Sequence, residues 1–581
     1  MLTDFIPADF DAGNLDALTA KLNELLERDV ATADEFEAWL VHRSELDAAF
    51  SESAALLYIA MTCNTDDERA AKAYADFIET VPPAVKPIVF ELDRKQKSLH
   101  ESTGLSSGRY EVMARDTITD VELFREENIP LETELAKLDQ RFDTISGAMT
   151  VEFEGEEKTL PQMGTYQEST DRAVREAAWR AVSERRLQDR EPINDIYDQM
   201  IKLRHDAATN AGFESFTGYA FKSKHRFDYT PEHCFAFHDA CEQIVAPFAR
   251  RLDEQRRSAL GVDTLRPWDL AVDVKGRPPL RPFEGGADLV AKTNAAFESL
   301  DPRLASMLRE LGDGSGRVTA DNAESPPLLD LDSRKGKAPG GYQYMRDRSR
   351  VPFIFMNAAG LHRDVETMVH EAGHAFHSMV CVDEPLLHYR SSPIEFAEVA
   401  SMSMELMTMP HWGAEGSFYA GDEAAHARAM RQQLEGSIVL LGWIATIDAF
   451  QHRVYANPTH TRDQRTEHWL SLDGRFGRRV DWSGLDEARA NAWQRQGHLF
   501  GAPFYYIEYG IAQLGSLQLW LRSLEEGPAV AIDAYLSALK LGGSRPLPEL
   551  FKAAGLEFDF GPETVGRLAE RVEAELEKLP E

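Results

Sequence analysis

Cysteine is scarce in this chain of 581 residues. Cys63, Cys234, Cys241 and Cys381 are the only four, and none stands in a C-x-x-C pair. That spacing indicates neither a disulfide framework nor a paired-thiolate zinc site. Basic charge is short too: 63 Lys and Arg stand against 97 Asp and Glu, a formal charge of -34. With no basic run, nucleic-acid binding is set aside, and the excess of acid serves solubility. Long apolar runs are also missing. The most apolar one, "SIVLLGWIATIDAF" at 437–450, is too short to span a bilayer and carries Asp448, so no membrane partner is expected. The opening "MLTDFIPADFDAG" has acids where a signal peptide has a basic region, and the expected location is cytoplasmic. Fixed-period repeats and low-complexity segments are absent as well.

Strand signals are few. "MTVEFEGEEKTL", 149–160, reads as a hairpin turning at Glu154-Gly155, and "VPFIFMN", 351–357, as a short strand. Most of the remainder has helical periodicity, for example over 14–28, 33–49, 66–80, 170–211, 231–259, 421–455, 484–496 and 562–579. The basic, glycine-rich "RKGKAPGG" at 334–341 lacks the order of a phosphate-binding loop and reads as a flexible loop before the strand.

The chemistry concentrates in "VETMVHEAGHAFHSMV", 365–380. Val365, Met368, Val369, Ala372, Phe376, Met379 and Val380 recur at helical spacing, with Asp364 placed to act as N-cap. His370 and His374 are i, i+4, so both imidazoles lie on one face and can hold one cation. Glu371 projects beside them, close enough to reach a water on the metal without ligating it. The H-E-x-x-H-x-x-G-x-x-H arrangement does not apply, because His377 and Val380 stand where Gly and His would be. His377 lies a turn beyond His374 and reads as structural. A third ligand is therefore sought elsewhere. "SPIEFAEVASMSMELM", 392–407, offers Glu395, Glu398 and Glu405 among apolar neighbours, and buried carboxylates need a partner such as a metal ion. The residues by themselves do not choose among the three acids. Further on, "QGHLFGAPFYYIEYG", 496–510, puts His498 and the phenols of Tyr505, Tyr506 and Tyr509 on a glycine-bounded segment; such donors suit a developing oxyanion.

"DVETMVHEAGHAFH" followed by "FAEVASMSMELM" resembles the thimet oligopeptidase/oligoendopeptidase F family of zinc peptidases, most of all its oligoendopeptidase F branch. Other blocks extend the resemblance over most of the chain: "DRAVREAAWRA" (171–181), "RPWDL" (266–270), "RKGKAPGGYQY" (334–344), "PFIFMN" (352–357), "GAPFYYIEYGIAQ" (501–513) and "YLSALKLGGSRPLPELFKAAGLEFD" (535–559). The resemblance implies that His370, His374 and Glu398 ligate one zinc ion and that Glu371 is the general base. It implies a His and Tyr contribution from 498–509, with Tyr505 and Tyr509 favoured and Tyr506 behind them. Glu366 matches a family acid that would orient the His370 ring.

The fold it implies is mainly α, zincin-like around the motif helix with a small β-sheet, and enclosed by helices around a deep substrate channel. An N-terminal helical region with its hairpin would span 1–190 and the catalytic domain 191–581. The implied activity is zinc-dependent endopeptidase cleavage of short oligopeptides. "PFIFMN" is expected to pair with the extended peptide, with Gly340, Gly341 and Tyr342 as a mobile cover. A metallo-carboxypeptidase with the same ligands and a non-catalytic peptide-binding protein are the alternatives.

Overall fold

The structure, a computed structural model, describes residues 5–580 apart from Lys335 and Pro339. Helices dominate it, and most of the periodic segments form them; 484–496 keeps only the short helix Asp486–Ala490 and a 3-10 turn, Ala492–Arg495. Segment 33–49 extends into one helix, Ala33–Cys63, and 66–80 into Glu68–Thr103. Segment 170–211 divides at Asp189 into Arg172–Gln188 and Arg190–Asn210. The hairpin pairs Thr150–Phe153 with Glu156–Thr159, and its turn residues Glu154 and Gly155 take φ of 54° and 82°. Positive φ at both positions gives the turn the twist that flanking strands require, and glycine supplies one of them without strain.

A second sheet has three strands in the order Leu329–Asp332, Val351–Ala358, Tyr342–Arg346. The "VPFIFMN" strand is its centre, parallel to the first and antiparallel to the last. This corrects two expectations. Both edges of Val351–Ala358 are already paired, so it has no ladder to offer a peptide; the outer edges of this sheet belong to Leu329–Asp332 and Tyr342–Arg346. Tyr342, expected on a mobile cover, opens that strand. Its ring stacks on Phe355 at 4.7 Å and its hydroxyl bonds Thr62 at 2.6 Å.

Beneath this sheet lies the motif helix, His362–Val380, packed on the acid helix, Ile394–Thr408. The acid helix packs in turn on the tyrosine helix, Tyr506–Glu526. Two glycines set these contacts. A Cβ at Gly373 would lie 2.5 Å from the Ala400 carbonyl oxygen, and one at Gly515 would lie 2.8 Å from a Val399 methyl. Glycine inside a helix costs about 1 kcal/mol relative to alanine, and here it lets three backbones approach closely. The long helix Glu423–Ala456 contains the 437–450 run; it is long and apolar enough to cross a membrane, yet 72% of that apolar window is buried within the molecule. A second, smaller core joins the N-terminal helices around Phe36, Trp39, Leu46 and Phe77.

Asp364 does not cap the motif helix as its position suggested. The helix starts two residues earlier, at His362, and Asp364 reaches back to accept the Ala359 and Leu361 N–H groups. It still satisfies end groups that the first turn leaves open.

Candidate active site

His370 and His374 stand one turn apart with ring centroids 5.0 Å apart. The close contact at Gly373 brings Glu398 of the acid helix onto them. Its Oε2 lies 3.4 Å from His370 Nε2 and 3.6 Å from His374 Nε2. One donor atom from each of the three lies within 4.8 Å of the others. Ser401 donates to the same Glu398 oxygen at 2.8 Å.

The three acids that spacing could not separate have distinct partners. Glu395 accepts the Tyr229 hydroxyl at 2.7 Å and faces the Arg226 guanidinium. Glu398 meets both imidazoles. Glu405 holds His370 Nδ1 at 2.7 Å, and its other oxygen accepts the Gln433 amide at 2.9 Å. The acid beside the His370 ring is therefore Glu405, whereas Glu366 turns to His362 at 3.3 Å. Glu366 is four residues from both histidines, so helical spacing alone cannot separate the two pairings. Glu405 binding at Nδ1 leaves Nε2 to face His374 and Glu398.

Electrostatically the site attracts positive charge. Burial opposes protonation of His370, but its bonds to Glu398 and Glu405 outweigh burial and raise its pKa well above the usual histidine range. Burial would raise Glu398, yet the two imidazoles hold it far below the usual carboxylate range. Two nitrogen donors and a carboxylate in an anion-rich setting fit a borderline divalent cation such as zinc. Glu371 is 7% exposed, and burial pushes its pKa upward. It faces the small sheet, where the nearby Gln343 backbone N–H opposes part of that rise. Burial and the nearby His374 lower His377 to about 4, so that ring is neutral at ordinary pH.

The histidine and tyrosines gather opposite. Tyr505 donates to Glu398 Oε1 at 3.4 Å, and its ring lies 5.1 Å from Tyr509 and 5.5 Å from His498. Burial and the Glu398 charge push both Tyr505 and Tyr509 well above the usual phenol range, so both remain donors. Tyr506 faces Trp443 and Gln496 instead, with its ring 5.0 Å from His498. The tautomer of His498 follows from a short chain of contacts. Trp443 Nε1 can only donate, and it meets Gln496 Oε1 at 3.1 Å. The Gln496 amide nitrogen then donates to His498 Nδ1 at 2.8 Å, which leaves the ring proton on Nε2. Burial also lowers the His498 pKa, favouring this neutral form.

Phe504, just before Tyr505, takes φ of 62°. Such a backbone costs of order 1–3 kcal/mol for a non-glycine residue and persists where its surroundings fix it. Gln451 accepts the Phe504 N–H at 2.7 Å, and Arg226 donates to both the Phe504 carbonyl and Glu508. Gly373, Gln433, Gln496 and Arg226 are the supporting residues that sequence reasoning missed; Glu405 was among the three candidate acids, but its place at His370 Nδ1 was not foreseen. A glycine inside the H-E-x-x-H motif was the one visible signal.

The sequence profile of peptidase family M3 matches residues 165–276 and 321–563, more than half of the chain. The profile of the M3 N-terminal domain matches residues 5–103. The chain belongs to peptidase family M3. The structure of Pz peptidase A with an inhibitor superposes with a TM-score of 0.87 at 28% identity, covering 99% of both chains. Oligoendopeptidase-F from Enterococcus faecium shares the fold at TM-score 0.59 and 18% identity, over 98% of this chain and 99% of its own. Among curated relatives, oligopeptidase PepF of Bacillus subtilis is 24% identical over 50% of this chain and 42% of its own length. The chromosomal oligoendopeptidase F of Lactococcus lactis subsp. cremoris is 22% identical over 72% and 66%. These matches to curated relatives span about two-fifths to two-thirds of their length.

Proposed function

We propose that this M3 protein is a zinc-dependent endopeptidase that cleaves internal bonds of short peptides. The convergence of His370, His374 and Glu398, with Glu371 on one side and His498, Tyr505 and Tyr509 on the other, supports this reading most directly. One zinc ion held by the first three would supply Lewis acidity to the scissile carbonyl and make water at the site more acidic. Glu371 accepts the proton of the attacking water and passes it to the leaving amine. Its raised pKa suits that exchange, since a base works best near the operating pH. Tyr505, Tyr509 and the Nε2–H of His498 donate to the carbonyl oxygen as it gains charge.

The substrate backbone adds to the open edge of Tyr342–Arg346, where main-chain bonding reads peptide shape before side chains. Because the Gln343 N–H faces Glu371, that edge runs beside the base.

The test is cleavage of an internally quenched peptide of about ten residues, within the size of a channel-bound ligand, with both ends blocked. Zinc-loaded protein is expected to cut it internally, chelator to abolish cutting, and added zinc to restore it. No cleavage by the zinc-loaded protein sinks the endopeptidase reading; trimming of single C-terminal residues from unblocked peptides alone would point to a carboxypeptidase.

The role of Glu405 has its own outcome. Glu405→Gln retains the side-chain shape but removes the charge at His370 Nδ1. It is expected to weaken zinc about 10- to 100-fold in chelator competition, with activity recovering at excess metal. Unchanged affinity would reduce Glu405 to a packing role.

A further inference from the structure

Away from the active site, two helices face each other with four chemistry-bearing residues. Cys234 and His238 are one turn apart on Pro231–Ala240, and Asp448 and His452 are one turn apart on Glu423–Ala456. Each pair is i, i+4 and so lies on a single helix face, the way metal sites are built between facing helices. All four are buried, at 0%, 5%, 0% and 8% exposure in the order named. His238 Nε2 bonds Asp448 Oδ2 at 2.8 Å. Donor atoms of Cys234, Asp448 and His452 all lie within 4.8 Å of one another.

Two polar atoms of the cluster have no hydrogen-bond partner among the described residues: Asp448 Oδ1 and His452 Nε2. His452 Nε2 approaches Asp448 Oδ2 at 3.3 Å without hydrogen-bond geometry. A buried carboxylate oxygen and a buried ring nitrogen left open have lost their water without gaining a partner, and such atoms call for a ligand.

We propose that Cys234, Asp448 and His452 form a second metal site, for a zinc-class divalent cation, with His238 holding the outer carboxylate oxygen. The donor set is sulfur, oxygen and nitrogen, which such a cation accepts together. Charge balances on binding: the Cys234 thiol releases its proton to solvent, and thiolate plus carboxylate neutralise the cation. His238 at Oδ2 plays the part that second partners play for metal-bound side chains.

Phe235, 44% exposed, covers the His452 ring edge-on at 4.9 Å. The cluster is also placed to matter. The His452 ring packs 5.0 Å from Phe504, and Gln451 holds the Phe504 N–H. A cation there would brace the backbone immediately before Tyr505. The site shares no residue with the active site and does not depend on the proposed activity.

The experiment is metal counting and cobalt spectroscopy on the full chain. Zinc-loaded wild type is expected to hold two ions per chain by elemental analysis; C234S and D448N should each lose one, and the His370→Ala/His374→Ala variant should lose the other. The active-site donors contain no sulfur, so a thiolate-to-cobalt charge-transfer band reports on this site alone. Cobalt-loaded wild type and the His370→Ala/His374→Ala variant are expected to show that band, and C234S to lack it. A single zinc ion that disappears with His370 and His374 and no band in cobalt-loaded wild type would overturn the site, as would a band that persists in C234S. Both wild-type readouts hold even if a substituted chain folds poorly.

Discussion

Glu371→Gln is expected to lower kcat/KM for the quenched peptide by about 10³-fold, within the range that general bases contribute. Zinc content should stay unchanged. The substitution is nearly isosteric, and the amide oxygen can still face the Gln343 N–H. What disappears is the ability to take a proton from water and return it to the amine. The three converging donors, His370, His374 and Glu398, are untouched, so metal loss cannot account for lost rate. Parallel measurements of metal content and kcat/KM decide the matter. A variant that keeps its zinc and more than a tenth of wild-type activity would remove Glu371 from the proton-transfer role.

Local spacing made the motif helix readable, because period and chemistry agree there. The two imidazoles at i, i+4 share a face whatever surrounds them. The hairpin was equally local, since Glu154-Gly155 between short β-prone runs specifies its own turn. The acid helix was different. Glu395, Glu398 and Glu405 all sit among apolar residues, and only partners far away in the chain separate them: Tyr229 and Arg226 for the first, His370 and Gln433 for the last. A pattern within 16 residues cannot contain that information. Glu366 failed for a related reason, as a helix offers it two histidines at equal spacing and tertiary contacts choose. The strand Tyr342–Arg346 was hidden because its sequence follows glycines and carries no strong alternation; pairing with Val351–Ala358 makes it a strand. Gly373 reads as a weakness until the acid helix is brought against it.

The donors opposite the proposed metal should separate by hydroxyl partner. Tyr505→Phe and Tyr509→Phe are each expected to lower kcat by about 10²-fold, the lower end for loss of one oxyanion donor, with KM little changed. Their hydroxyls face Glu398 and each other. Tyr506→Phe should cost far less, because that side chain faces Trp443 and Gln496 and not Glu398. The double variant should fall short of the product of the single losses, because the two rings are in contact and substitutions at touching residues are not independent. Steady-state kinetics at saturating zinc, with metal content followed in parallel, distinguishes two roles for Tyr505. A fall in kcat at full metal occupancy makes it a donor to the carbonyl oxygen. Lost zinc affinity with kcat restored by excess metal would instead mean that its hydroxyl works through Glu398, leaving Tyr509 and His498 to meet the oxyanion.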